Sequence, residues 1–297
     1  MPLASIPSPT HAAWHLGPLP VRAYALSVIA GILVAIAVAS HRYRRSADTG
    51  ARPGGPGGRS GVILDVAAWA VPFGLIGALA HAILLGTRHD FPDAHRLWHA
   101  ATIGVAAIGV PGAVALGTVG AWIACRRAGV KLGPVAGAAA PALAFGLAVG
   151  GLGNWWAQQF YGRPSTWWWA VRISPTHRVP GFENYATFQP AFLYQSLWEV
   201  ALGFGVIWAA GRFGLSGERT FMLCAAGYAA GGFWVETLRV GPAPHALGLR
   251  YGALGDIAVF VLAVLGIYLT RRGRRPPARG QAKRTVGEDS PGDVMSV

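Results

Sequence analysis

Charged residues are scarce in this chain. Only 12% of its 297 residues are Asp, Glu, Lys or Arg, whereas 53% are hydrophobic and the mean hydropathy is +0.41. Soluble domains carry about twice that charged fraction, so the composition excludes an ordinary soluble protein. The net charge of +13 does not indicate nucleic acid as a partner, because the cations are spread between long apolar stretches. A lipid bilayer is the expected solvent for most of the chain.

Cysteine and lysine are also rare. Cys125 and Cys224 are the only two cysteines, and each lies near the end of an apolar stretch on the side predicted to be cytoplasmic. Disulfides are rare in that compartment, so both are predicted to be packing residues. The two lysines, Lys131 and Lys283, lie outside the apolar stretches, which excludes the Schiff base of a retinal protein. The first twenty residues hold no Lys or Arg, so we expect no cleaved secretory signal.

Long apolar stretches are the main feature that the sequence does contain. Each has roughly 20 residues, enough to cross the hydrocarbon core as a helix. They are continuous and do not alternate with polar residues, which predicts helices and not a barrel. The predicted fold is all-α, a polytopic membrane bundle of about seven transmembrane helices within residues 1–270, followed by a disordered basic tail, 271–297. The predicted spans are 21–40, 62–86, 101–125, 132–154, 190–210, 221–240 and 251–270.

The distribution of cations predicts the orientation of these spans. Seventeen of the 25 Lys and Arg residues fall in the loops 41–61, 126–131 and 211–220 and in the tail. Cytoplasmic loops carry the excess of cations, so the amino terminus is expected outside and the tail in the cytoplasm. The long segment 155–189 is then external, and its many aromatic residues are typical of a segment in the lipid headgroup zone.

Four acids fall inside predicted spans, where a charge is costly without a partner. Glu236 lies three residues before Arg239, a spacing that allows an ion pair on one helix face, functional or purely structural. Asp65 and Asp256 are near predicted helix starts, which favours a helix-capping or interfacial role over a functional one. The fourth acid is Glu199.

A weak metal-binding pattern lies in the loop before the third span. His95 and His99 have the i, i+4 spacing of zinc ligands, with His89, Asp90 and Asp93 upstream. No Glu follows the first His, as a metalloprotease helix requires. We therefore interpret this loop as interfacial and expect no metal site.

Several motifs resemble those of the bacterial phosphatidylglycerol–prolipoprotein diacylglyceryl transferases. Residues 150–164 read GGLGNWWAQQFYGRP, similar to the family signature Gly-Arg-x-Gly-Asn-x-x-Asn-x-Glu-x-x-Gly. Residues 189–195, QPAFLYQ, resemble His-Pro-x-x-Leu-Tyr-Glu, and 232–239, GFWVETLR, resemble Arg-Phe-x-x-Glu-x-x-Arg. Residues 22–26 resemble the family's entry to the first helix, and residues 245–250 match the actinobacterial form of the loop after the sixth span.

The resemblance implies a function and a set of site residues. The family transfers a diacylglyceryl group from phosphatidylglycerol to the lipobox cysteine of exported prolipoproteins, so the implied partners are membrane lipid and signal peptides, with no cofactor. The site is implied to face the outer leaflet of the bacterial plasma membrane. Implied catalytic residues are Tyr24, Glu236 and Arg239; implied substrate-binding residues are Asn154, Gln159, Gly162, Arg163, Tyr194, Gln195 and Arg250. On residue type alone, the two tyrosines are equally typical of interfacial anchors, and Asn154 of a helix-end cap.

The charged motif positions depart from the family pattern. Arginine is replaced by glycine at 151 and 232, glutamate by glutamine at 159 and 195, asparagine by alanine at 157 and histidine by glutamine at 189. Two interpretations follow from these losses. In the first, the chain is an active transferase in which other outward arginines bind the phosphate. In the second, it is a catalytically lapsed homologue that binds phospholipid or signal peptide without transfer.

Overall fold

The computed structural model is predominantly helical, which confirms the predicted class. It describes residues 5–9, 12–16, 19–48, 61–85, 110–241, 245–246 and 248–272. The long helices within these ranges are α1 (Ala23–Asp48), α2 (Val62–Leu85), α3 (Val110–Arg127), α4 (Leu132–Gly151), α5 (Ala191–Phe213), α6 (Gly217–Leu238) and α7 (Tyr251–Arg272). The histidine-rich loop and most of the basic tail lie outside the described residues.

Five of these helices are long and apolar enough to cross a membrane. They contain the stretches Ala23–Ser46, Val62–Ala80, Leu132–Ala157, Ala191–Phe213 and Tyr251–Thr270. α3 and α6 fall outside this set. α6 is less apolar because it begins with a polar turn that contains Glu218, Arg219 and Thr220.

Small residues let the helices pack closely. α1 packs along α4 and α2 along α3, while α4, α5, α6 and α7 form the rest of the bundle. A Cβ built on Gly146 of α4 would lie 2.7 Å from the carbonyl oxygen of Gly31 in α1, so the two backbones meet where neither residue has a side chain. Cys125 and Cys224 are free and buried, as expected for packing residues.

The segment 155–189 folds into a cap on the bundle. A one-turn helix, Asn154–Ala157, opens it, and its aromatic residues divide into two groups. Tyr161 and Phe188 are buried with neighbouring apolar side chains, whereas Trp167 and Trp168 are 55% and 69% exposed. The segment therefore has a small core of its own in addition to an exposed aromatic surface.

Short strands join this cap to the amino terminus. The strands are β1 (Ile6–Pro7), β2 (Ala13–Leu16), β3 (Leu19–Arg22), β4 (Val171–Arg172), β5 (Thr187–Phe188), β6 (His245–Ala246) and β7 (Leu249–Arg250). β4 pairs in parallel with β1 and antiparallel with β5. Two hairpins, β2–β3 and β6–β7, lead into α1 and α7. Together they cover the end of the bundle where α1 and α7 begin and α6 ends.

The two acids near predicted helix starts differ in their environments. Asp65 lies in the first turn of α2, as expected. Asp256 is the sixth residue of α7, beyond its first turn, so it does not cap this helix and instead faces α6. A Cβ built on Gly232 of α6 would lie 2.8 Å from its Oδ2 atom. Asp256 is therefore an interhelical residue, placed beside the glycine that stands where the family has an arginine.

Candidate active site

A carboxylate held between two arginines forms the centre of the site. Glu236, 8% exposed near the end of α6, accepts a hydrogen bond from Nη1 of Arg239 through Oε2 and another from Nε of Arg250 through Oε1, both at 2.7 Å. Arg250 comes from the hairpin before α7 and also donates through Nη1 to the carbonyl oxygen of Gly241 at 3.2 Å. One negative charge thus faces two positive charges, which leaves the cluster with a net charge of +1.

Arg239 is the member of this cluster with unused donor capacity. Its guanidinium carbon lies 4.0 Å from the centroid of the Phe160 ring, a cation–π contact that fixes the plane of the group. Its Nε atom is buried and has no hydrogen-bond partner among the described residues. A buried donor without a partner is costly, so an acceptor supplied by a ligand would stabilise it.

Gly162 brings the cap against the end of α6. Its backbone forms an antiparallel bridge with Arg239, and its N–H donates to the carbonyl oxygen of Gln189 at 2.8 Å. A Cβ at this position would lie 3.0 Å from the carbonyl oxygen of Leu238 and 3.1 Å from the Cβ of Gln189. The signature glycine is therefore required by the close approach of two backbone segments.

Substitution of Gly162 by alanine is expected to impair the site without unfolding the bundle. The added methyl group would lie 3.0 Å from the carbonyl oxygen of Leu238, so the cap must shift slightly and move Arg239. The rate should fall, by less than the roughly 10²-fold that a misplacement of a full 1 Å can cost. Transfer activity and the thermal unfolding midpoint of the purified variant should be measured together. Gly205→Ala is the matched control, because a Cβ there meets nothing within 4 Å. Equal activity of both variants would contradict this role.

Tyr24 and Asn154 lie on the two sides of one glycine. A Cβ built on Gly153 would lie 3.0 Å from Cδ2 of Tyr24, so α1 packs its first turn against the start of the signature loop. Asn154 donates from Nδ2 to the carbonyl oxygen of Gly151 at 2.8 Å. This bond is the one expected of a helix-end residue, and it occupies one of the two amide hydrogens.

Tyr194 and Gln195 lie in the first turns of α5 and contact different groups. The hydroxyl of Tyr194 accepts a hydrogen bond from Nε1 of Trp169 at 2.8 Å, which ties the exposed aromatic cluster of the cap to α5. Gln195 donates from Nε2 to Oε1 of Glu199 at 2.9 Å. Glu199 is only 3% exposed, and its Oε2 atom has no partner among the described residues.

The two motif arginines that the chain lacks would have stood beside polar groups. A Cβ on Gly151 would lie 3.0 Å from Oγ of Ser196, a buried hydroxyl without a described partner. A Cβ on Gly232 would lie beside Asp256, as noted above. Ser196, Glu199 and Asp256 were not among the predicted site residues. An acid within an apolar span was the sequence signal for the latter two, whereas Ser196 has no comparable signal.

The buried glutamine of the signature loop is Gln158 and not its neighbour Gln159. Gln158 has a φ of 49° and is 8% exposed. Its Oε1 accepts from the backbone N–H and the hydroxyl of Ser174 at 2.7 and 2.8 Å, and its Nε2 donates to the carbonyl oxygen of Pro9 at 3.3 Å. Left-handed backbone is uncommon for residues other than glycine. The turn is therefore held by these side-chain bonds.

The remaining arginine of the signature, Arg163, is exposed. Its Nη2 atom lies 3.5 Å from the carbonyl oxygen of Thr237, near the end of α6. The structure therefore gathers Gly162, Arg163, Glu236, Arg239 and Arg250 around the end of one helix. Tyr24 packs instead against Gly153, and Gln195 is bonded to Glu199.

This arrangement suits the binding of an anionic group at the membrane surface. Arginine presents a planar fork that matches the oxygens of phosphate, and charge-assisted hydrogen bonds of this kind are stronger than neutral ones. The carboxylate of Glu236 orients both guanidinium groups without neutralising them. The cluster can therefore hold a phosphate and stabilise charge that develops on it.

Comparisons with known proteins agree with the motifs and the geometry. A family model described as prolipoprotein diacylglyceryl transferase matches residues 11–269. The phosphatidylglycerol–prolipoprotein diacylglyceryl transferase of Streptomyces avermitilis is 43% identical over 99% of this chain and 84% of its own length. Two Streptomyces coelicolor proteins are named as transferases 1 and 2 of this kind. Transferase 1 is 42% identical over 100% of this chain and 82% of its own length. Transferase 2 is 39% identical over 98% of this chain and 88% of its own length. The chain belongs to the prolipoprotein diacylglyceryl transferase family.

Proposed function

We propose that this protein transfers a diacylglyceryl group from phosphatidylglycerol to the lipobox cysteine of an exported prolipoprotein. The cysteine sulfur forms a bond to the carbon of the diacylglyceryl group that bears the phosphate. The bond between that carbon and the phosphate oxygen breaks, glycerol phosphate leaves, and the thiol proton is released. The observation that carries the proposal is the pairing of Glu236 with Arg239 and Arg250, at the end of the helix that bears a family motif. The names of the relatives favour transfer over a lapsed, binding-only role.

The arginine cluster has the first role in this reaction. Arg239 binds the phosphate and compensates its charge as the carbon–oxygen bond breaks, and Arg250 and Glu236 keep its guanidinium in place. Fixed donors of this kind are effective because they require no reorganisation during the reaction. Arg163, exposed on the same side, contributes further positive charge to the entrance.

The remaining predicted residues line the approach of the two substrates. Tyr24, Asn154, Gln159, Tyr194 and Gln195 are proposed to contact the lipid or the signal peptide. A thiol has a pKa of about 8.5, so the acceptor cysteine must lose its proton to attack. No cofactor is needed for this displacement.

The proposed topology has seven spans, with the site facing the outer leaflet of the plasma membrane. It rests on the excess of Lys and Arg in the loops between the spans. Phosphatidylglycerol and the emerging signal peptide both reach that face. The cap 155–189 then lies outside the cytoplasm, with Trp167 and Trp168 at the level of the headgroups.

Accessibility of single cysteines tests the topology. In intact cells, an impermeant thiol reagent is expected to label cysteine introduced at the exposed Thr176 and to leave cysteines at Gly57 and Gly280 unlabelled. The native Cys125 and Cys224 are buried and give a low background. Permeabilised cells serve as the control, in which all three sites should react. Labelling at Gly57 or Gly280 in intact cells would contradict the proposed orientation.

The proposed activity can be tested in cells depleted of their own transferase. Expression of this chain is expected to restore the diacylglyceryl mass increment on a reporter lipoprotein, whereas the Arg239→Ala variant should not. Immunodetection in the membrane fraction controls for the amount of each variant. If unmodified reporter accumulates as in cells with an empty vector, although the chain is present in the membrane, the proposed activity is wrong.

A further inference from the structure

A cationic cavity lies at the opposite end of α1 from the candidate active site. Its volume is about 380 Å³, and α1 contributes all of its lining residues except Ile207, which comes from α5. The lining residues are Val38, His41, Arg42, Arg45, Ser46 and Ile207. None of them is acidic. The cavity is therefore a cleft between two candidate membrane-spanning helices with two arginines and a histidine on its wall.

The position of the cavity along α1 places it at the other membrane surface. Tyr24, near the active site, and Arg42 are 18 residues apart on this helix, which corresponds to about 27 Å at 1.5 Å per residue. The hydrocarbon core is about 30 Å thick. The cations of the cavity thus lie at the depth of the lipid headgroups in the leaflet that the active site does not face.

Arg42 distinguishes this cavity from an ordinary basic helix end. Arginines at the carboxyl terminus of a helix are favoured by the helix dipole and by the excess of cations in cytoplasmic loops. These two effects are sufficient to explain the presence of Arg44. Arg42 is different because its Nε atom is buried and has no hydrogen-bond partner among the described residues. Because Arg42 also lines the cleft, an acceptor that enters the cleft from outside the chain and reaches this donor would remove the cost of leaving it unpaired.

We propose that this cavity binds the phosphate of an anionic phospholipid from the leaflet opposite the active site. The phosphate accepts hydrogen bonds from Arg42 with support from the charges of Arg45 and His41, while Val38 and Ile207 contact the glycerol backbone and the start of the acyl chains. Basic pockets between transmembrane helices are known to hold such headgroups. The bound lipid is not a substrate at this site, and it links α1 to α5.

Native mass spectrometry of the purified full-length protein tests this site. Phosphatidic acid is the anionic probe, phosphatidylcholine the zwitterionic one and inorganic phosphate the free anion. Arg42→Ala is expected to weaken phosphatidic acid binding about tenfold or more, the loss of one charge-assisted hydrogen bond. Arg44→Ala, one half-turn away and exposed outside the cavity, is the matched control and should bind like the unmodified protein. The same loss should appear in the Arg239→Ala background, because the two sites are separate.

A second variant keeps the test valid if Arg42→Ala is unstable. Ile207→Trp fills the cleft from α5 and leaves every cation in place, so it should also lower phosphatidic acid binding while the thermal unfolding midpoint is retained. Equal effects of Arg42→Ala and Arg44→Ala would mean nonspecific surface attraction and would overturn the proposal. Equal affinity for phosphatidylcholine, or Arg42-dependent binding of inorganic phosphate without binding of the lipid, would also overturn it.

Discussion

Replacing Arg239 with alanine is expected to lower the rate of diacylglyceryl transfer by at least ~10²-fold, because the loss of one preorganised donor has an effect of this size. Glu236 then keeps only Arg250 as a partner, and the cluster loses its net positive charge. Phosphatidylglycerol should also bind more weakly, by about 1.5–3 kcal/mol for a charge-assisted hydrogen bond. Initial rates of thioether formation and lipid affinity should be measured on the same preparation.

The control for this substitution is Arg172→Ala. Arg172 is an exposed cation in the same cap, so its removal changes the net charge equally without touching the cluster. Arg239→Lys should have an intermediate rate, since an ammonium group keeps the charge but lacks the planar fork. If Arg239→Ala and Arg172→Ala transfer at the same rate, the phosphate is bound elsewhere.

Restoring three family residues together is expected to raise the transfer rate. The unmodified protein should turn over at least ~10²-fold more slowly than a family member with the full motif, because it lacks the donors at positions 151 and 232. The triple variant Gly151→Arg, Gly232→Arg and Gln195→Glu should recover much of that difference, and it should exceed every single variant because groups that act as a unit are not additive.

The structure gives a physical reason for this non-additivity. Gln195→Glu alone removes the hydrogen bond to Glu199 and puts two carboxylates side by side, so it should lower the rate. An arginine at 151 enters beside Ser196 on the same face of α5 and can compensate those charges, and one at 232 pairs with Asp256. A triple variant no faster than the unmodified protein would mean that the existing arginines already carry the full reaction.

Hydropathy predicted the helical class and the five described helices that are long and apolar enough to span a membrane, because a spanning segment must satisfy its backbone hydrogen bonds within itself. The cap could not be predicted in the same way. Its sheet joins Ile6 to Val171 and Val171 to Phe188, and such pairing over long sequence separations leaves no local pattern. The abundance of aromatic residues indicated an interfacial segment but not the small core inside it.

The candidate site was predictable to the extent that its contacts are local. The pair of Glu236 and Arg239 follows from their i, i+3 spacing on α6. The approach of Arg250 depends on how a hairpin folds back onto α6, and the stacking of Arg239 on Phe160 depends on the cap. Resemblance to the family pointed to Arg250, whereas nothing in the sequence indicated Phe160.

Two buried polar residues near the site were not indicated by the sequence. Asp256 is the sixth residue of α7, which starts where hydropathy predicted, and only the packing of α6 against α7 places it beside Gly232. Gln158 lies in left-handed backbone, which its residue type does not reveal. Both features depend on tertiary placement, which periodicity does not encode.

The most direct test of the account is the reaction of purified protein with phosphatidylglycerol and a lipobox peptide. We expect a peptide product whose mass has increased by one diacylglyceryl group on the cysteine, together with an equal amount of glycerol phosphate, and no product when that cysteine is replaced by serine. The Arg239→Ala variant should form little of either product. Binding of phosphatidylglycerol without any thioether or glycerol phosphate, in a preparation where a full-motif relative reacts, would contradict the assignment as a transferase.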